Sequence, residues 1–202
     1  MLLAFDTSSA ACTAALFDDG GACIARSDEQ IGRGHSERLV PMIAELLDGR
    51  SADRILVGVG PGSFTGLRVG IAAAHAFAVG IGRPFVPVVS HDAVAWSWYR
   101  AGNEGPLQVL TDARRREFAV SGYDGLDDDE LPVRVEGPVL CPRDDVPDAV
   151  GTRLEAHYVQ AGAVGMLAEL AFAARRLPLA EDVPLYLRAP DVTPSPGKRV
   201  LQ

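Results

Sequence analysis

The chain has 202 residues, of which 48% are hydrophobic and 23% are charged, and its formal net charge at pH 7 is −8. This composition is typical of a globular protein that folds as one compact domain or as two lobes of about 100 residues each. Because phosphate contacts need clustered Lys or Arg, the acidic charge argues against a chain that binds nucleic acid by itself.

The N-terminal residues carry neither a basic region nor a cleavage pattern, so we predict no signal peptide. No apolar run approaches the roughly 20 residues that span a bilayer, and no membrane partner is expected. The cysteines Cys12, Cys23 and Cys141 form neither a CxxC pair nor a metal-ligand spacing. We interpret them as ordinary buried residues in a reducing cytoplasm.

The first half of the chain alternates short apolar runs with turn residues, which predicts an α/β lobe. A hairpin signal at 18–21 joins the second and third strands, and Ser36 and Ser90 are predicted to cap two helices. The predicted strands are 2–6, 12–17, 22–27, 55–59 and 84–89, and the predicted helices are 37–48, 65–79 and 92–100.

The Gly- and Pro-containing segment 102–106 is predicted to separate two lobes. The strand after it ends in an aspartate, as strand 2–6 does, which suggests that the second lobe repeats the first. The elements predicted there are strands 107–112 and 117–123, an extended segment 132–140 and helix 161–176. The predicted organisation is an N-terminal lobe at 1–101 that binds a partner, a smaller C-terminal lobe at 106–188 and a flexible tail at 189–202.

The most informative segment is a glycine turn between strand 55–59 and helix 65–79. Its residues are Gly60, Pro61, Gly62, Ser63, Phe64 and Thr65, with Arg68 one helical turn later. Glycine lets the backbone approach another group closely, and Ser63 or Thr65 can cap the helix. Such a turn can bind an anion, although it lacks the Lys of a Walker loop. We interpret it mainly as architecture, with a secondary role as a contact surface.

Helix 65–79 is apolar almost all round, since only Thr65, Arg68 and His75 are polar. A helix of this kind is covered on more than one side. Its own sheet can cover one side, and in a chain of this size another subunit is expected to cover the other.

Helix 37–48 has a similarly broad apolar arc, so we predict that both helices meet a partner. Small residues at a spacing of four would let a partner helix approach, and Gly70→Arg or Ala74→Glu is expected to abolish pairing without unfolding the chain. The predicted interface consists of Leu39, Val40, Met42, Ile43, Leu46, Gly66, Gly70, Ala73, Ala74 and Phe77.

Five motifs occur in an order that resembles one protein family. They are Asp6-Thr7-Ser8, the run from His35 to Pro41, the run from Gly60 to Gly70, Asp112-Ala113-Arg114 and Tyr186-Leu187-Arg188. Together they resemble the TsaB (YeaZ) family, the dimerization subunit of the bacterial machinery that makes tRNA threonylcarbamoyladenosine (t6A). The resemblance implies an actin-like ATPase (ASKHA) fold of two RNase H-like lobes, with mixed β-sheets flanked by helices.

The resemblance also implies a function in which this chain is not itself the enzyme. A TsaB-like chain pairs with and activates a paralogous catalytic subunit, TsaD, and helps to recruit an ATPase, TsaE. Without its partner it is expected to form homodimers. No cofactor is required by this chain. ATP or ADP is assigned to the complex, and the sequence leaves open whether this chain itself binds a nucleotide. The metal is expected only in the partner. The chain is expected to contact tRNA only through the complex, in the cytoplasm.

No catalytic residue and no metal ligand are assigned to this chain. Asp6, Thr7, Ser8 and Ser9 match part of the phosphate loop of actin-like kinases, but a second acidic residue in a convincing second loop is missing. Two roles are open for Asp6, namely capping the turn and contacting a cation. His35 has no histidine four residues on, and no Gly-x-Ser-x-Gly elbow occurs.

Two alternatives come from other functional classes. The first is a self-sufficient actin-like ATP-dependent kinase or hydrolase, which would bind and turn over ATP alone. The second is a stand-alone RNA-binding module, which conflicts with the acidic charge and an aromatic content of 6%. The sequence also leaves open whether Arg68 pairs with an acid of the partner or with Asp6.

Overall fold

The computed structural model describes residues 1–188, and the predicted tail at 189–202 lies outside the described residues. The described chain forms two β-sheets flanked by α-helices. Its strands are β1 (Leu2–Asp6), β2 (Ala11–Phe17), β3 (Cys23–Gln30), β4 (Arg54–Gly58), β5 (Val86–Val88), β6 (Pro106–Asp112), β7 (Glu117–Leu126), β8 (Pro132–Pro142) and β9 (Thr152–Glu155). Its helices are α1 (His35–Leu47), α2 (Phe64–Ile81), α3 (Ser90–Arg100) and α4 (Ala161–Ala173).

The first sheet has the strand order β3-β2-β1-β4-β5 and is mixed. The first three strands pair antiparallel, whereas β4 runs parallel to both β1 and β5. Every residue of β1 and β2 is buried, so this sheet is covered on both faces. Side chains alternate along β1: Leu3 and Phe5 join the core with α1 and α2, while Leu2 and Ala4 join the core with α3 and α4.

The second sheet has the strand order β8-β7-β6-β9. Strands β6, β7 and β8 pair antiparallel in succession, and β9 pairs parallel with the other edge of β6. Strand β9 is absent from the elements predicted from the sequence. The strand has only four residues, and just one of them, Leu154, is even half-buried, so no hydrophobic pattern marks it.

Helix α4 packs on the first sheet rather than on the second. It contacts β1, β2 and β4 extensively, and Gly165 lies so close to Phe17 and Ala4 that a β-carbon would overlap the Phe17 ring. The prediction that residues 106–188 form a separate C-terminal lobe is therefore corrected for α4, because this helix completes the hydrophobic core of the N-terminal sheet. The amphipathic pattern predicted the helix but not the surface that buries it.

Two predicted helix caps are wrong. Helix α1 begins at His35 and has no side-chain cap, and the Ser36 hydroxyl donates to a glutamate side chain instead. Helix α3 begins at Ser90 itself, whose hydroxyl group bonds to Asp6. The two serines are thus used differently, since Ser90 bonds to a buried carboxylate and Ser36 to an exposed one.

Helix α2 is long and apolar enough to cross a membrane by length and composition alone, with a mean hydropathy of 1.5 over 18 residues. The expectation that no apolar run approaches this length is therefore corrected. A core helix of a soluble protein passes the same test, and the inner face of α2 packs on β4. Only five of its eighteen residues are buried, however, so most of the helix surface is at least partly exposed.

Candidate functional site

The loop after β1 is organised by a fully buried carboxylate. Asp6 is 0% exposed. Its Oδ1 accepts hydrogen bonds from the Ser8 N–H at 2.8 Å and from the Ser8 hydroxyl at 2.6 Å, and its Oδ2 accepts from Ser90 Oγ at 2.6 Å. Burial raises the pKa of Asp6, and the Ser8 and Ser90 bonds lower it in part. Both oxygens therefore serve the chain's own donors, and Asp6 caps the turn.

The four residues expected to form a phosphate loop are divided by the structure. Asp6, Thr7 and Ser8 are buried and Ser9 is half-buried, and of the four only Ser8 and Ser9 line the cleft between the two sheets. Within residues 1–188, no group of three or more His, Cys, Asp and Glu side chains could hold a metal ion.

The glycine turn packs directly on this loop. A β-carbon at Gly62 would overlap the Ser8 carbonyl, and one at Gly66 would overlap the Thr7 carbonyl. Two bonds hold the contact, from the Ser63 N–H to the Ser8 carbonyl at 3.0 Å and from Thr7 Oγ1 to the Gly66 carbonyl at 2.7 Å. Ser63 also caps α2 by accepting from the Gly66 N–H at 3.2 Å. Glycine is needed here because the two loops touch backbone to backbone.

Most of the predicted partner interface is buried inside the chain, and this expectation is corrected. The residues concerned are Leu39, Met42, Ile43, Leu46, Gly66, Gly70 and Ala74. They face the first sheet, whose residues Leu3, Phe5 and Leu16 belong to the same core as the α1 side chains. The reason is geometric: the sheet covers the broad arc of α1 that seemed too wide for one contact.

The predicted variant Gly70→Arg illustrates the same correction. A β-carbon at Gly70 would lie 2.5 Å from Thr7 Oγ1, so an arginine there would disturb the fold itself. Ala74 is fully buried, and a glutamate at that position would place an unpaired charge in the core. Of the predicted interface, Val40 remains exposed, while Ala73 and Phe77 are half-buried.

The surface that stays open is the outer side of α2. We call it the α2 outer face and define it as Val69, Ala72, Ala73, Ala76 and Val79. Ala72, Ala76 and Val79 are exposed, and Val69 and Ala73 are half-buried. The most hydrophobic of the exposed residues, Val79, is 83% exposed. Exposed Thr65, Arg68 and His75 lie on the same side of the helix, so the face is apolar only in part, and it is the exposed alanines and Val79 that are typical of a protein-binding surface.

Arg68 pairs with neither of the partners left open by the sequence. Its Nε donates to the Tyr186 hydroxyl at 2.9 Å, and its guanidinium lies 3.9 Å from the centroid of the Phe64 ring. Phe64 and Tyr186 stack with centroids 4.9 Å apart. The C-terminal segment is thereby held on the start of α2, where the Leu185 N–H also donates to the Val59 carbonyl at 2.8 Å. Sequence reasoning missed this contact because it spans 118 residues.

Three consecutive residues at the start of α3 connect the two sheets. Ser90 bonds to Asp6 of the first lobe. His91 lies 2.8 Å from both Ser121 Oγ and Thr111 Oγ1 of the second sheet, and burial lowers its pKa to about 3. Asp92 accepts a 2.7 Å bond from Tyr123 of the same sheet. The sequence offered no sign of this arrangement beyond the polar character of the three residues.

A cleft of about 310 Å³ separates the loop after β1 from the loop after β6. Asp112, which ends β6 as Asp6 ends β1, lies at its wall. Burial alone would raise the pKa of Asp112, but the Arg114 N–H and the Arg143 guanidinium, each 2.9 Å away, hold it below its usual range. Both strand-ending aspartates are therefore engaged by the chain's own donors. The cleft is also lined by Ser9, Arg114, Glu155 and His157, so it presents hydroxyl, guanidinium, carboxylate and imidazole groups together.

Comparisons with known proteins agree on one family. A family model described as TsaD, tRNA N6-adenosine threonylcarbamoyltransferase, matches residues 27–130. An uncharacterized protein of Mycobacterium tuberculosis is 32% identical over 96% of this chain and 94% of its own length. The tRNA threonylcarbamoyladenosine biosynthesis protein TsaB is 36% identical in Haemophilus influenzae and 34% identical in Escherichia coli. These two alignments span about half of each TsaB relative, 52% and 54% respectively.

Solved structures show the same relationship. YeaZ from Pseudomonas aeruginosa is 28% identical and superposes with a TM-score of 0.76 over 92% of this chain and 99% of its own. A second Pseudomonas aeruginosa structure, described as similar to peptidase YEAZ, has a TM-score of 0.78. The chain has two sheets flanked by helices, and its similarity to these two structures confirms the predicted actin-like fold class.

Proposed function

The chain belongs to the TsaB (YeaZ) family, and from this premise we propose that it is a non-catalytic dimerization subunit of the tRNA t6A transferase complex. In this proposal it pairs with and activates a TsaD-like catalytic subunit and helps to recruit a TsaE-like ATPase. Its contact with tRNA comes through the complex, and the complex works in the cytoplasm. The TsaB relatives support the coarser statement that this chain takes part in t6A biosynthesis.

The observation that carries the docking role is the α2 outer face. The helix is apolar except for Thr65, Arg68 and His75, yet the chain itself buries only its inner residues. Burying Val79, Ala72 and Ala76 against a second apolar helix would contribute roughly 25 cal/mol per Å² of apolar surface removed from water. The same face is expected to form homodimers when the catalytic partner is absent.

The non-catalytic part of the proposal rests on the two strand-ending aspartates. A kinase of this fold class would need carboxylates that are free to position a metal ion near a phosphate. Asp6 is fully buried and bonded to Ser8 and Ser90, and Asp112 is bonded to Arg143. ATP turnover by the isolated chain would contradict this part and favour the self-sufficient enzyme.

A pair of matched valine variants tests the docking role. Val79 in the α2 outer face is 83% exposed, and Val150 in the second lobe is 82% exposed. Neither substitution by arginine should affect folding, because both side chains are in water. We expect Val79→Arg to abolish co-purification with a TsaD-like subunit and Val150→Arg to leave it intact. If Val79→Arg still co-purified at the wild-type ratio, the α2 outer face would not be the docking surface.

A further inference from the structure

A second cavity lies beside the cleft and has no role in the docking proposal. It measures about 270 Å³ and is enclosed by the glycine turn, by the hairpin loop after β6 and by the C-terminal segment that covers the start of α2. Ser63 and Arg114 line both this cavity and the neighbouring cleft. Its volume is near the lower limit of about 300 Å³ that is usual for small-molecule sites.

The charged residues of this cavity are all arginines. Arg114, Arg115 and Arg188 line it, and no carboxylate side chain is among its lining residues. Arg188 is paired with Glu117. Arg114 is 3.9 Å from Asp112, which has a closer partner in Arg143 at 2.9 Å. A concentration of guanidinium groups in a chain of net charge −8 indicates a site for an anion, and Arg matches phosphate geometry especially well.

The backbone of the hairpin loop after β6, which presents two of the cavity arginines, is in an unfavourable conformation. Arg114, Arg115 and Arg116 are consecutive and have φ values of 64°, 54° and 61°. The left-handed conformation is disfavoured for every residue with a β-carbon, and glycine or asparagine would adopt it more easily. Non-glycine residues held in such a conformation are concentrated at functional sites. Arg116 lies outside the cavity and pairs with Asp144, whereas Arg114 lines the cavity, so its left-handed backbone supports a functional role for this loop.

The rest of the cavity wall is apolar and aromatic. Leu140, Tyr186 and Leu187 contribute to it, and Phe64 stacks on one face of the Tyr186 ring. Arg68 holds the Tyr186 hydroxyl in place, so the aromatic wall is fixed before any ligand arrives. A planar, uncharged ring such as a nucleobase can pack against such a wall. Stacking of a base on an aromatic side chain does not depend on which base it is.

From these features we propose that the cavity binds one nucleotide unit, with its phosphate at Arg114 and its base against the wall formed by Leu140, Tyr186 and Leu187. A nucleotide, in which a sugar joins a phosphate to an aromatic base, supplies both an anion and a flat ring system, the two features for which the cavity is suited. The unit can come from a free nucleotide or from an RNA strand. The inference does not depend on docking to a catalytic subunit, because the cavity belongs to this chain alone.

The test measures binding to the purified full-length chain by calorimetry. AMP, adenosine and inorganic phosphate serve as probes. We expect AMP to bind at least ten-fold more tightly than either of its parts, because only AMP reaches both Arg114 and the aromatic wall. Failure to detect AMP or oligoadenylate binding at millimolar concentration would overturn the proposal.

The variant Arg114→Gly separates binding from folding. Glycine removes the guanidinium and also relieves the left-handed backbone, so the melting temperature should stay unchanged or rise while AMP binding weakens at least ten-fold. Arg33→Ala, at an exposed position before α1, is the control and should bind AMP as the wild type does. Unchanged AMP affinity in Arg114→Gly would contradict the site.

An adenylate trinucleotide distinguishes the two sources of the unit. If the ligand is part of an RNA strand, the trinucleotide should bind at least ten-fold more tightly than AMP, and its affinity should fall more steeply with salt. If the ligand is a free nucleotide, the trinucleotide should bind no better than AMP. Whichever ligand binds more tightly, Arg114→Gly must weaken its binding if the cavity is the site.

Discussion

The Ser90 hydroxyl donates a 2.6 Å hydrogen bond to the Asp6 carboxylate, although the two residues are 84 positions apart. The same hydroxyl oxygen accepts a 3.0 Å bond from the Gly60 N–H, and the Ser90 N–H donates to the Gly60 carbonyl at 2.7 Å. One serine therefore ties the loop after β1 to the glycine turn and to the start of α3. The position of α2, which follows that turn, depends on this junction.

Replacing Ser90 by alanine should destabilise the chain by about 1–3 kcal/mol, because Asp6 and the Gly60 N–H would each lose a partner in a buried site. Ser36→Ala is the matched control. Its hydroxyl is exposed and caps no helix, so the change should stay within about 0.5 kcal/mol. Urea unfolding of both variants measures the difference, and equal midpoints would show that the junction adds no stability.

The stability of the chain should fall on acidification because of His91. Burial lowers its pKa to about 3 in the folded state, against about 6.5 when unfolded. Between these two pH values the unfolded chain binds a proton that the folded chain does not, so stability is lost as the pH falls below 6.5. The loss is about 1.4 kcal/mol per pH unit, or roughly 2 kcal/mol at pH 5.

The buried aspartates act in the opposite direction, because the pKa values of Asp6 and Asp92 are raised and the folded chain binds their protons more readily. The contribution of His91 is therefore isolated by comparison with His91→Gln. The variant should show a flatter dependence of unfolding free energy on pH between 5 and 7. An identical slope in the two proteins would mean that His91 does not stay neutral when folded.

Two glycines of α2 should respond oppositely to alanine. A β-carbon at Gly70 would lie 2.5 Å from Thr7 Oγ1, whereas one at Gly80 would meet nothing within 4 Å. Gly70→Ala should cost about 1–3 kcal/mol through overpacking, and Gly80→Ala should stabilise the helix by about 0.5–1 kcal/mol. Thermal unfolding resolves effects of this size, and a stabilising Gly70→Ala would show that α2 can shift away from the loop.

The contact between Tyr186 and the start of α2 should control the C-terminal segment. Tyr186→Ala removes both the stack on Phe64 and the hydroxyl that accepts from Arg68, while Tyr186→Phe keeps the stack. We expect faster hydrogen exchange at the Leu185 amide, which bonds to the Val59 carbonyl, in the alanine variant. The phenylalanine variant should remain close to wild type. Equal exchange in all three proteins would assign the anchoring to other contacts.

The local pattern of residues was sufficient for most of the secondary structure. The strand at 2–6, the turn at 60–66 and the long apolar helix after it follow from hydrophobic runs and from glycine chemistry, which act over a few neighbouring residues. Ser63 was named as one of two candidate caps and is the cap. Strand β9 was missed because its four residues are mostly exposed and its pairing with β6 is non-local.

The sequence by itself determined that α2 has more apolar surface than one contact can cover, since hydrophobicity is a property of the residues. Only the tertiary structure decided which side stays open. The first sheet and the loop after β1 cover Gly66, Gly70 and Ala74 and leave Ala72, Ala76 and Val79 in water, because the small residues allow the close approach to Thr7. It also decided the partners of Asp6, Arg68 and His91, whose hydrogen bonds join segments that are distant along the chain. Such contacts depend on how the two sheets and the C-terminal segment pack, and no local pattern records that packing.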